Sequence, residues 1–180
     1  MQPKAFIFIA PLVFVGTLPS LAAFQYSSPG GTYSQNFDSL AATGTDHDWV
    51  NDSTIRGWSL FRVTSATNPT PMPLTLYDAS SGSDDSGRFY SFGTGADRAL
   101  GGIGNANFGY PGDQATSVLV GASAGWIALS ITNATGLALD KFTLRYDGEQ
   151  WRDAGDNEPP YAQTMEFQYG FGNTFATVAA

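Results

Sequence analysis

Apolar and polar residues alternate one for one along three stretches of the chain, at 127–132, 141–146 and 164–171. This period of two is typical of antiparallel strands that turn one face to a core and the other to water. The 3.6-residue spacing of an amphipathic helix does not recur. Weaker strand signals, each bounded by turn residues, occupy 33–37, 58–63, 74–77, 88–92 and 117–120.

These strands predict an all-β fold in a single domain. The chain has 180 residues, of which 42% are hydrophobic and 14% aromatic, so it has material for one packed core and is short for two domains. A single open sheet would leave an aromatic face in water. We therefore expect an antiparallel two-sheet sandwich with a jelly-roll-like (concanavalin-like) arrangement.

The N-terminal segment predicts export. Lys4 is followed by an apolar run over 5–16 and then by Ser20-Leu21-Ala22, whose small residues are typical of a signal-peptide cleavage site. This run is too short for a membrane anchor, which needs about 20 apolar residues. We expect a signal peptide at 1–23, a module at 24–180 without a membrane span, and a secreted or cell-surface location.

Composition excludes several classes of function. The chain has no cysteine, which excludes a disulfide scaffold and a thiolate metal site, and a single histidine, which excludes a multi-histidine metal centre. Sixteen acidic against eight basic residues give a net charge of −8. This charge argues against nucleic acid as a partner. Export without cysteine is typical of a bacterial product.

Six short segments carry a resemblance to a known family. Their sequences are QNFDSL, GW, GRFYSFG, DRALG, NATG and YDGEQWR, at 35–40, 57–58, 87–93, 97–101, 133–136 and 146–152. In this order they resemble an exported bacterial β-sandwich module of PEP-CTERM-type surface proteins. The resemblance implies a jelly-roll-like fold and export, with no established chemistry and no catalytic residue for the module itself.

The resemblance also bears on what surrounds the module. Modules of this type usually continue through further strands to an acidic closing segment, and similar ones precede extracellular nuclease-phosphatase or lamin-tail-like domains. The chain reaches Ala180 without such a segment. The resemblance therefore implies a module that lacks its C-terminal strand or strands.

Arg98 and Glu149 are predicted to form a structural ion pair between strands, covered by Trp151. Arginine suits a partly buried pair because its rigid guanidinium matches a carboxylate. The same groups would also suit a phosphate or sugar site. Glu149 with Glu166 would suit the two carboxylates of a glycosidase, although the sequence does not show whether they face each other.

The acidic segment after Trp151 predicts a calcium site, with an ordinary surface turn as the alternative. Asp153, Asp156 and Glu158 place three carboxylates within six residues. Calcium takes six to eight oxygen ligands from such loops. Trp151 and Tyr161, on either side of this segment, are the aromatic residues best suited to an exposed sugar-stacking platform.

The pattern as a whole favours a non-catalytic secreted or surface module. Its partner would be an extracellular glycan or a matrix component, and calcium would support the contact surface. Two alternatives stay open. One is a glycan hydrolase that uses Glu149 and a second carboxylate. The other is an accessory N-terminal domain of a larger surface protein with nuclease, phosphatase or glycan-hydrolase activity.

Overall fold

The structure is a computed structural model that describes residues 23–62, 71–104, 125–152 and 165–175. Short strands make up the regular structure of these ranges, and no helix among them is long and apolar enough to cross a membrane. The strands are β1 (Phe24–Tyr26), β2 (His47–Asp48), β3 (Trp58–Arg62), β4 (Met72–Pro73), β5 (Leu76–Ser80), β6 (Arg88–Phe92), β7 (Ala99–Ile103), β8 (Gly125–Leu129) and β9 (Ile131–Asn133).

The described strands form three sheets. A four-stranded sheet has the order β2-β5-β6-β7, a three-stranded sheet the order β4-β3-β8, and β1 pairs with β9. The all-β prediction is confirmed. The pairing is mixed rather than purely antiparallel, because β5–β6 and β1–β9 are parallel. The β5–β6 pair can be parallel because residues 81–87, at up to about 3.3 Å each, are long enough to carry the chain back along the strand.

One hydrophobic core joins the two larger sheets. Leu60 comes from β3, whereas Tyr77, Phe89 and Leu100 come from β5, β6 and β7. Loop residues complete the core, and the largest of them, Trp49, is only 1% exposed. Burial of these side chains holds the two sheets together. The finer sandwich and jelly-roll arrangement stays a prediction.

Several predicted strands are present. β6 covers 88–92 as predicted, and β5 starts two residues after the start of the predicted 74–77. β3 covers 58–62 of the predicted 58–63, and residue 63 lies outside the described residues. The alternating stretch at 127–132 falls on β8 and β9. Residues 33–37 are not a strand. The strand predicted at 117–120 lies outside the described residues.

The alternating stretch at 141–146 is not a strand in the structure, and neither are residues 165–171, the described part of the stretch at 164–171. Their large apolar side chains are exposed, from 46% at Leu144 to 89% at Phe171, although the rings of Tyr146 and Phe167 stack with centroids 6.5 Å apart. Alternation sorts side chains onto two faces, but a strand also needs a neighbouring backbone to hydrogen-bond. The described residues do not supply that neighbour.

β7 is a strand that the sequence analysis missed. It contains Gly101 and Gly102, and glycine is disfavoured in strands. The ring of Phe92 on the adjacent strand β6 explains Gly101. A Cβ at this position would lie 2.9 Å from two ring carbons of Phe92, so a larger residue would displace the ring.

Candidate functional site

Trp151 is attached to the connection between β5 and β6. Its indole nitrogen donates a hydrogen bond to Glu149 Oε2 at 2.7 Å. The guanidinium of the next residue, Arg152, donates from Nη1 to the carbonyl of Ser83 at 3.1 Å. We call Glu149, Trp151, Arg152, Gly82 and Ser83 the Trp151 site. It joins two parts of the chain that are 69 positions apart.

Gly82 makes this attachment possible. Its φ is +97°, a conformation that side chains with a Cβ rarely adopt. A Cβ at this position would also collide with the carbonyl oxygen of Trp151. The backbone of Trp151 therefore lies directly on the turn, and its half-buried side chain is held at the nitrogen end by Glu149.

The electrostatic surroundings of the Trp151 site are negative. Asp84 and Asp85 follow Ser83 in the same turn, Asp147 precedes Glu149, and all three are exposed. The charge of this turn also acts on Tyr90 of β6. Burial, and after it the charge of Asp84, raises the pKa of Tyr90 to about 12.

Arg98 and Glu149 are not brought together. Arg98 is 3% exposed and donates from Nε to Ser91 Oγ at 2.9 Å, and from Nη2 to the carbonyls of Ser91 and Ser80. Glu149 is exposed and bonds Trp151 instead. Backbone carbonyls on β5 and β6 thus take the place of the predicted carboxylate. Trp151, which was predicted to cover that pair, donates its indole N–H to Glu149.

Two ion pairs lie on Arg88, which the sequence analysis did not single out. Its Nη1 is 2.8 Å from Asp46 Oδ1 and 3.3 Å from Asp78 Oδ1. The hydrogen bond to Asp46 raises the pKa of Arg88 above its ordinary value. Asp78 also accepts the backbone N–H of Asp46 at 2.7 Å. This cluster fastens the segment before β2 to β5 and β6, and we assign it a structural role.

The predicted metal ligands and the second aromatic residue lie outside the described residues; these are Asp153, Asp156, Glu158 and Tyr161. In the part of the chain that the structure describes, no three Asp, Glu or His side chains converge on a point that could hold a metal ion. Glu166, the second carboxylate of the glycosidase alternative, is exposed and accepts a hydrogen bond from Gln168 at 3.0 Å.

Comparison of the chain with protein families, curated proteins and solved structures found no match. The resemblance to PEP-CTERM-type modules therefore stays a prediction, and no residue role comes to this chain from another protein.

Proposed function

We propose that this chain is a non-catalytic module, exported to the cell surface or beyond, that binds an extracellular glycan or a glycan-containing matrix through the Trp151 site. The observation that carries the proposal is the anchoring of Trp151. The Glu149 carboxylate holds the indole nitrogen, and the Gly82 turn holds the backbone.

The geometry suits sugar binding for two reasons. An aromatic face stacks on the apolar face of a pyranose, and a ring that is already fixed loses little conformational entropy when a ligand binds. The Glu149 carboxylate can accept several hydrogen bonds, so it can also orient a sugar hydroxyl beside the ring. Binding a glycan through these contacts requires no catalytic group.

Affinity electrophoresis of the exported protein, through gels that contain soluble glycans of neutral, cationic and anionic type, tests the proposal. We expect Trp151→Ala to weaken retardation at least about tenfold, because aromatic anchors commonly dominate a binding surface. Phe171→Ala is the control, since this ring is 89% exposed and outside the Trp151 site. Equal retardation of the Trp151→Ala and wild-type proteins, or no retardation by any glycan, would contradict the proposal.

A matched pair of glycine variants tests the attachment itself. Gly82→Ala pushes a methyl group into the Trp151 carbonyl, whereas Gly95→Ala at a φ of +73° has no atom within 4 Å of the new methyl. Both variants strain the backbone, by about 1–2 kcal/mol. We expect only Gly82→Ala to weaken glycan binding as well. The same loss of binding in both would show that the attachment of Trp151 is irrelevant.

We further propose that calcium supports this surface through Asp153, Asp156 and Glu158. Their proximity in sequence to Trp151 supports this extension. Calcium would supply no chemistry of its own, but would hold together carboxylates that otherwise repel one another.

A further inference from the structure

The Glu149 carboxylate keeps free acceptor capacity beside the Trp151 ring. An ionised carboxylate can accept about four hydrogen bonds. Oε2 of Glu149 accepts the bond from the indole nitrogen, and Oε1 has no partner among the described residues. Glu149 is also exposed. A ligand that rests against the indole would therefore meet an ionisable oxygen with no competing donor.

The charges around this oxygen discriminate between ligands. The segments 81–87 and 147–152, which meet at the Trp151 site, carry four carboxylates and one guanidinium. The guanidinium belongs to Arg152, and its Nη1 bonds the Ser83 carbonyl. The whole chain is acidic as well, with a net charge of −8. This field repels an anionic glycan and attracts a cationic one.

We infer, on the basis of the proposed glycan function, that the Trp151 site selects polymers of amino sugars, which carry ammonium groups, over neutral or anionic glycans. The ammonium group donates a charge-assisted hydrogen bond to Glu149 Oε1, which is stronger than a bond from a neutral hydroxyl. The face of the adjacent indole also attracts a cation. Asp84, Asp85 and Asp147 add long-range attraction for the repeated charges of the polymer.

Isothermal titration of the exported protein with three oligosaccharides of equal length tests this selectivity. The probes are oligomers of glucosamine, N-acetylglucosamine and galacturonic acid, measured at about pH 5.5 with chelator, where an amine with a pKa near 8 is protonated. We expect glucosamine to bind at least about tenfold more tightly than its N-acetylated counterpart. Galacturonate should bind most weakly, and added salt should reduce the preference.

Glu149→Gln assigns the selectivity to one side chain. The amide oxygen can still accept from the indole nitrogen, so Trp151 stays in place while the charge is removed. We expect this variant to lose about tenfold in affinity for glucosamine and clearly less in affinity for N-acetylglucosamine, because the amide oxygen can still accept a hydrogen bond from a neutral hydroxyl. Glu166→Gln is the matched control, because Glu166 is also exposed and also bonds a side chain two residues away.

The outcomes separate this inference from the proposed function. Equal binding of the charged and acetylated oligomers, or tighter binding of galacturonate, would overturn the selectivity and leave glycan binding intact. A preference for glucosamine that survives Glu149→Gln would overturn the role of Glu149. No binding of any oligomer would refute the proposed function together with the inference.

Discussion

Replacing Arg98 with alanine should destabilise the fold more than any exposed substitution. Arg98 is 3% exposed, and its guanidinium bonds Ser91 Oγ and the carbonyls of Ser91 and Ser80. Its backbone N–H donates to Asp38 Oδ1 at 3.1 Å, which alanine would retain. The side chain therefore ties the start of β7 to β5 and β6 from inside the protein.

The expected magnitude follows from these contacts. A hydrogen bond from a charged donor contributes about 1.5–3 kcal/mol, and Arg98→Ala loses three of them. Against this loss, Arg98 Nη1 is buried with no hydrogen-bond partner, and removing it recovers a desolvation cost of about 1–3 kcal/mol. Three such bonds less this recovered cost give a net loss in the free energy of unfolding of about 1.5–8 kcal/mol. This is a large share of the 5–15 kcal/mol that typically stabilises a domain.

Urea unfolding followed by tryptophan fluorescence measures this loss. Arg56→Ala is the control, because Arg56 is exposed and should change the free energy of unfolding by less than about 0.5 kcal/mol. Arg98→Lys should recover only part of the loss, since one ammonium group cannot reach three acceptors as a planar guanidinium does. If Arg98→Ala and Arg56→Ala unfold at the same urea concentration with the same slope, the internal bonds of Arg98 do not stabilise the fold.

Two further predictions concern pH and calcium. Because the pKa of Tyr90 is raised from 10 to about 12, the unfolded state loses this proton first. The contribution of Tyr90 to the free energy of unfolding should therefore be constant below about pH 10 and fall by about 2–3 kcal/mol towards pH 12. Tyr90→Phe should remove that fall in a pH series of unfolding curves, and an unchanged fall would refute the assignment to Tyr90. Millimolar calcium should raise the melting temperature in a thermal scan, because a ligand that binds the native state stabilises it by mass action. The double variant Asp153→Asn, Asp156→Asn should abolish this rise. A melting temperature that calcium does not change would remove calcium from the proposal.

The strands that could be predicted are those whose residues favour the strand conformation and whose ends are marked by turn residues. Phe89, Tyr90 and Phe92 belong to residue types that favour strands, and their segment is bounded by glycines at 87 and 93, so β6 has its predicted limits. The alternation at 141–146 and 165–171 is at least as regular, yet neither segment is a strand. Period-two alternation describes the two faces of a segment, whereas a strand exists only where another backbone lies alongside it.

The candidate site likewise combines contacts between residues close in sequence with contacts between distant parts of the chain. Glu149 and Trp151 are two positions apart, so their side chains can meet through local geometry alone. Trp151 was predicted from the sequence only as the cover of an Arg98–Glu149 pair, which does not form. The partners of Arg98 were not predicted, because carbonyl oxygens occur at every position and the sequence cannot show which of them a guanidinium will reach. The contacts of Trp151 with Gly82 and of Arg152 with Ser83 each join positions that are 69 apart. Contacts of that range depend on how the sheets bring distant turns together, which periodicity and composition do not encode.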